Sequence, residues 1–155
     1  MAATGPDGLV ATCDVAAGSQ GLADQYHALL AEHRMPLVQQ CKACSTAYFP
    51  PLLSCRSCHS DELAWAPAGA RGRVGTFVTV HTRDATPSMS IPRRLLDEVP
   101  YTSVYVEPDG APHLRIPALM VGDGQQHLAV GDRVELAVPG SGPIRATRID
   151  GEVEQ

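Results

Sequence analysis

Apolar positions along the chain change their period twice. Residues 1–20 show no period: Gly5, Pro6, Gly8 and Gly18 interrupt a polar stretch, which predicts a flexible leader. From Leu22 the spacing becomes helical, with Leu22, Tyr26, Leu29, Leu30 and His33 falling at i, i+4, i+7, i+8 and i+11. This predicts a helix within 21–36, ended by Pro36. So short a helix is marginal alone in water, so its apolar face must pack on the rest of the chain or on a partner.

After Gly69 a period of two takes over. Val74, Thr76, Val78 and Val80 alternate with Gly75, Phe77, Thr79 and His81, the pattern of a two-faced strand. Gly69, Gly72 and Gly75 predict a coiled or bulged beginning to it, of the kind small barrels need at their corners. Further strands are predicted at 101–107, 113–121, 133–138 and 144–149, with turns at Pro108-Asp109-Gly110 and Pro139-Gly140-Ser141-Gly142-Pro143. Pro117 marks an edge or a bulge in the third of these strands. Five short strands suit a small closed barrel better than a sandwich, and the Gly-Asp turn in Val130-Gly131-Asp132-Arg133-Val134 agrees. The expected class is mainly β, with a leader over 1–20, a helix over 21–36, a ribbon over 37–67, a barrel over 68–150 and a tail over 151–155.

The ribbon is read from cysteines. Cys41-Lys42-Ala43-Cys44 and Cys55-Arg56-Ser57-Cys58 are two C-x-x-C pairs separated by residues 45–54. Each pair can turn tightly enough to aim both sulfurs at one point, and two such knuckles complete a tetrahedral four-sulfur shell. Zinc is the expected metal; iron suits the same donor set, and the spacing does not separate them. Four thiolates leave no open coordination position, so the ion would hold the fold and would not activate water. Thioredoxin-type redox chemistry calls for a βαβ setting that is missing here. His59 follows Cys58 directly, but the spacing favours the four sulfurs and leaves His59 outside the ligand set. Short strands are expected at 47–51 and 63–65, with Trp65, the sole Trp, covering the ribbon's core. Cys13 reads as a partly exposed, inert thiol, with no activating base beside it.

Composition narrows the picture. With 14 Gly and 13 Pro in 155 residues and 5% aromatics, a helix bundle is disfavoured, since interior Gly and Pro cost about 1 and 3 kcal/mol each relative to Ala. The N-terminus lacks a basic start followed by an apolar block, and no apolar run approaches the ~20 residues that span a bilayer, so a cytoplasmic location without membrane insertion is expected. Eleven of the 12 basic residues are Arg, with Lys42 the exception, against 17 acids. A net charge of −5 weighs against a nucleic-acid partner. The barrel segment 67–155 has 9 Arg against 11 acids, and its aromatics are Phe77, Tyr101 and Tyr105, a poor platform for single strands. The long connection 82–100 holds Arg93 and Arg94, which could grip a phosphate; Asp97 and Glu98 lie within reach as ion-pair partners, which makes a solvated surface pair the competing reading.

Helix, four-cysteine ribbon, Gly-rich strand start and small barrel, in that order, resemble the zinc-ribbon/OB-fold family known as domain of unknown function thirty-five. Carrying residues are Cys41, Cys44, Pro50, Cys55, Cys58, the Gly69 to Gly75 segment with its Val-rich strand, Pro100-Tyr101, and the segment Val130 to Val134, so the likeness spans roughly residues 21–150. It implies a rubredoxin-like ribbon followed by an OB barrel, with Cys41, Cys44, Cys55 and Cys58 as metal ligands. It further implies a noncatalytic accessory subunit, in a hetero-oligomer with a thiolase-fold partner such as a thiolase, an acyltransferase or a steroid side-chain aldolase. In that setting the resemblance implies that the ribbon and N-terminal helix dock on the partner while the barrel helps shape an acyl-CoA or product site, and Arg93 and Arg94 become candidates for the acyl-CoA phosphate. Three other functions compete: a single-stranded nucleic-acid binder, an acyl-CoA-binding module acting alone, and an enzyme using His81, His113 or Asp84. No nucleophile elbow, zinc-protease helix or phosphate loop occurs in the sequence.

Overall fold

A computed structural model describes residues 8–81, 98–122, 125 and 127–149. Nine strands and one α-helix are assigned among them. Strand β1 (Ala11–Thr12) leads through a 3-10 turn, Val15–Ala17, into helix α1 (Gly18–His33). Gly18 has φ 76°, a left-handed backbone that redirects the chain between turn and helix at little cost for a residue without Cβ. The helix therefore begins before the apolar period does. It buries Leu22, Tyr26 and Leu30, the stripe expected from their spacing, while Leu29 packs at the margin. Arg34 ends it in the left-handed region, its Nε donating to Ala31 O at 3.0 Å and its Nη1 to Val138 O at 3.5 Å. One side chain thus covers an orphan helix carbonyl and ties α1 to the residue that follows the barrel strand Arg133–Ala137.

Residues 8–20, expected to be a flexible leader, are built into the molecule where the structure describes them. Val10 N donates to Trp65 O and Cys13 N to Leu63 O, and Ala11 and Thr12 stand opposite Trp65 and Ala64. A two-residue strand has no period to detect, which is why the pattern passed over it. Cys13 is likewise buried, not partly exposed.

Strands β2 (Leu37–Cys41), β3 (Ala47–Tyr48) and β4 (Leu63–Pro67) join β1 in an antiparallel sheet of order β1-β4-β2-β3. The sequence pattern anticipated β4, overextended β3 and did not single out β2. Trp65 is fully buried in β4. Its ring lies 5.5 Å from that of Tyr26, and its Nε1 donates to Gln25 Oε1 at 3.0 Å. The same Gln25 oxygen accepts Asp14 N–H while Nε2 donates to Thr12 O. Gln25 therefore sews the helix to both β1 and β4, with each of its polar atoms bonded.

The barrel follows with β5 (Arg71–Val80), β6 (Tyr101–Pro108), β7 (Ile116–Val121), β8 (Arg133–Ala137) and β9 (Arg145–Arg148). It closes in the order β5-β6-β7-β9-β8, with β7 and β9 parallel at Leu119 and Arg145. This is the five-strand barrel expected. The register shifts between Val74 and Thr76, placing a bulge at Gly75. Pro117 faces Tyr105 of β6, while the pairing with β9 starts only at Leu119, so the missing N–H interrupts no ladder on that side. One hydrophobic cluster runs from Leu22 and Trp65 through Ala68 to Val104, Ile116 and Val134, joining helix, ribbon and barrel.

Candidate metal centre

The first knuckle is the turn between β2 and β3, and the second lies in the connection from β3 to β4. Both are built alike. Cys41 N–H donates to Thr46 O and Ser45 N–H returns to Cys41 O; Cys55 N–H donates to Ser60 O and His59 N–H returns to Cys55 O. Ser45 and His59 both take left-handed backbone, φ 64° and 63°. These bonds fold each C-x-x-C back so that its two sulfurs point the same way.

The four ligand sulfurs lie within 4.8 Å of one another. Cys41 and Cys58 Sγ are 3.6 Å apart, and Cys44 and Cys55 Sγ are 3.5 Å apart, both pairs crossing between knuckles. Metal–sulfur bonds of about 2.3 Å in a tetrahedral zinc site imply sulfur–sulfur edges of about 3.8 Å, so the donor set fits. Cys41 and Cys55 are buried, whereas Cys44 and Cys58 reach solvent.

Hydroxyls converge on the sulfurs. Tyr48 Oη lies 3.2 Å from Cys55 Sγ, and Thr46 Oγ1 lies 3.2 Å from Cys44 Sγ. The Tyr48 hydroxyl, followed by the Cys58 and Ser57 backbone N–H groups, outweighs burial and draws the Cys55 thiol down to about 5. Thr46 lowers the Cys44 thiol in the same way. Cys58 goes the other way: although Ser60 N–H pulls it down, burial and the neighbouring sulfurs push it up to about 12. Four negative sulfurs this close repel one another, and a dication is what allows all of them to ionise together.

The structure brings Cys41, Cys44, Cys55 and Cys58 into one cluster. His59 stays out of it; its role is the left-handed turn position that closes the second knuckle. Replacing His59 with Gly, which takes that backbone without strain, is expected to leave the metal content unchanged; metal analysis of the variant checks this. Cys13 is held near 11 by burial, with Gln39 and Lys42 pulling weakly the other way, so it stays a protonated, unreactive thiol. Arg93, Arg94 and Asp97 lie outside the described residues, as does Asp84. Glu98, expected to pair with that Arg couple, approaches Arg145 at 3.5 Å. His81 follows β5 while His113 sits in the turn between β6 and β7, at opposite ends of the paired strands, so the two do not form an acid–base couple. Phe77 and Tyr105 are exposed but face opposite sides of the sheet, and Tyr101 is buried, so these three do not make one stacking surface.

Outside the ribbon, a cleft of about 960 Å³ opens between α1, the ribbon and the outer face of the barrel. Its walls include Tyr26 and Leu30, Phe49 and Pro51, Val80 and Leu119. The register puts Thr76, Val78 and Val80 beside Tyr105, Ser103 and Tyr101, and these beside Pro117, Leu119 and Val121. Those nine positions carry no charge, Glu107 of β6 and Arg73 opposite it continue the same face beyond Tyr105, and Val78 is 60% exposed.

Fold and site together define a β protein with a four-cysteine ribbon joined to a closed five-strand barrel. Residues 37–64 match the family model described as the ChsH2, rubredoxin-like zinc ribbon domain. Among solved structures, a chain of the Ltp2-ChsH2(DUF35) aldolase is 22% identical and superimposes with a TM-score of 0.58, covering 81% of this chain and 91% of that one. A protein of unknown function from the DUF35 family of Sulfolobus solfataricus gives 12% identity and a TM-score of 0.55, covering 85% of this chain and 87% of that one. No curated protein sequence matches. The chain shares the fold of these proteins, as its resemblance to the domain-of-unknown-function-thirty-five family implied. Among the described residues, no helix is long and apolar enough to cross a membrane.

Proposed function

We propose that the chain is a noncatalytic accessory subunit whose four cysteines hold a structural zinc ion and whose barrel docks on a thiolase-fold partner, helping to shape an acyl-CoA or product site there. The observation that carries this reading is the likeness, over most of both chains, to a component of an aldolase whose name couples ChsH2 to a second protein, Ltp2. Cys41, Cys44, Cys55 and Cys58 would hold the zinc, which supplies a cross-link between the knuckles and, with all positions filled by sulfur, no site for substrate. The five reduced thiols accord with a cytoplasmic setting.

Two features of the surface support docking. The face that bears Val78, Tyr105 and Val121 exposes apolar side chains on three adjacent strands, with the charged Arg73 and Glu107 at its border, an apolar centre beside a polar rim as protein interfaces have. It borders the cleft, so a partner seated there would close the cleft's mouth.

Full-length tagged protein, purified from its native host, is expected to bring down a thiolase-fold subunit identified by mass spectrometry, and Val78→Asp is expected to lose it while keeping zinc and melting temperature. Recovery of the wild-type chain without any thiolase-fold partner would overturn the reading.

A further inference from the structure

Gln39 and Tyr48 stand directly opposite each other in the β2–β3 ladder, so their side chains share one face of that hairpin. Both reach the second knuckle. Gln39 is fully buried, and its amide clamps one residue from two sides: Oε1 accepts Leu52 N–H at 2.8 Å and Nε2 donates to Leu52 O at 2.7 Å. Leu52 lies in the non-strand stretch that leads to Cys55, so this clamp does for it what a neighbouring strand would do. The same Nε2 lies 3.6 Å from the buried Sγ of Cys13, the residue that follows β1, so the N-terminal segment backs the clamp.

Tyr48 grips the far end of the same connection. Its hydroxyl accepts the Ser57 N–H at 3.2 Å and lies 3.2 Å from Cys55 Sγ. A sulfur that ligates a metal carries no proton, so in that contact the tyrosine must donate. The first knuckle needs no such help, because it is the turn of the hairpin that carries both side chains. The second knuckle, outside any strand, is held at Leu52 by one member of the pair and at Cys55 and Ser57 by the other.

We propose that the Gln39–Tyr48 pair is a positioning device for the metal site, holding Cys55 and Cys58 against Cys41 and Cys44 and so setting how tightly the ion is retained. This rests on the zinc reading above. The orientation of ligand residues by hydrogen bonds outside the coordination sphere is commonly worth about 10- to 100-fold in affinity. Neither residue touches the barrel's own polar network, where Thr79, Thr102 and Gln125 bond one another.

The test uses the full-length zinc-loaded protein. Tyr48→Phe removes a single oxygen, Gln39→Leu removes the clamp, and Thr102→Val disturbs a buried polar contact remote from the ribbon. Zinc affinity by competition with a chromophoric chelator should fall roughly 10-fold or more in the first two and stay unchanged in the third. In cobalt-substituted protein, Tyr48→Phe should move the sulfur-to-metal charge-transfer band to lower energy, because a thiolate relieved of a hydrogen bond gives up electron density more easily; a merely structural tyrosine would leave the band in place. Should Gln39→Leu fail to fold, the isosteric Tyr48→Phe still decides. Wild-type protein without zinc overturns the metal reading and this one with it. Zinc-loaded wild type, with Tyr48→Phe unchanged in affinity and spectrum, overturns this one alone.

Discussion

Cys55→Ser is expected to abolish stoichiometric zinc and to loosen the ribbon while leaving barrel strands paired. Cys55 is fully buried in the four-cysteine cluster, held by Tyr48 on one side and by the N–H groups of Ser57 and Cys58 on the other. Structural zinc contributes an apparent ~10–16 kcal/mol in small finger peptides, where the metal is nearly the whole core. Here the sheet also packs on α1 and shares its core with the barrel, so the expected loss is smaller, of the order of several kcal/mol, and confined first to the knuckles. Metal analysis should find about one zinc per wild-type chain and little in the variant. Chelator treatment of wild type should reproduce the variant's urea transition, and adding chelator to the variant should change nothing more. Acid should act in the same direction. The Cys55 thiol sits at about 5 against an ordinary 9.0, so the stability that comes from favouring its thiolate is complete above pH 9 and is lost as pH falls through 5. Protons then compete with the ion, and zinc release is expected on acidification and not on mild alkalinisation.

Trp65→Ala is expected to cost about 3–5 kcal/mol, the usual range for deleting a buried large aromatic. Against a total stability of roughly 5–15 kcal/mol for a domain of this kind, that is enough to leave part of the population unfolded. The loss has three parts: the indole is completely buried, it packs on Tyr26, and its Nε1 satisfies Gln25. Because Gln25 also holds Asp14 N–H and Thr12 O, the first effect should be undocking of α1 and β1 from the sheet. Far-ultraviolet circular dichroism in urea measures this, since the variant has no tryptophan to follow by fluorescence. Trp65→Phe keeps most of the volume and loses the Nε1 bond, and should cost about 1–2 kcal/mol, near the range for a single hydrogen bond with a modest cavity.

Much of the architecture is legible without coordinates. The cluster of four cysteines was readable because a C-x-x-C knuckle is a local device: its spacing alone brings two sulfurs together. The helical stripe at Leu22, Tyr26 and Leu30 and the five barrel strands were readable because amphipathic period is also local, fixed by backbone geometry over a few residues. Pro117, flagged by its missing N–H, sits where β7 pairs with β6 but not yet with β9. The short pieces were harder. β1 has two residues, too few for a period, and in β2 two consecutive glutamines, Gln39 and Gln40, follow Leu37 and Val38 and break the alternating signal.

The sequence by itself thus determined the four-cysteine cluster suited to a metal, the five strands of the barrel and the face of the helix that turns inward, all consequences of spacing within short segments. Only the tertiary structure decided that Gln39 and Tyr48 share a face and reach the second knuckle, that Gln25 meets Trp65 across 40 residues, and that three barrel strands line up an uncharged patch beside the cleft. The physical reason is register: which side chains meet across strands depends on pairings between distant segments, and a shift of one residue would turn every one of them to the other side.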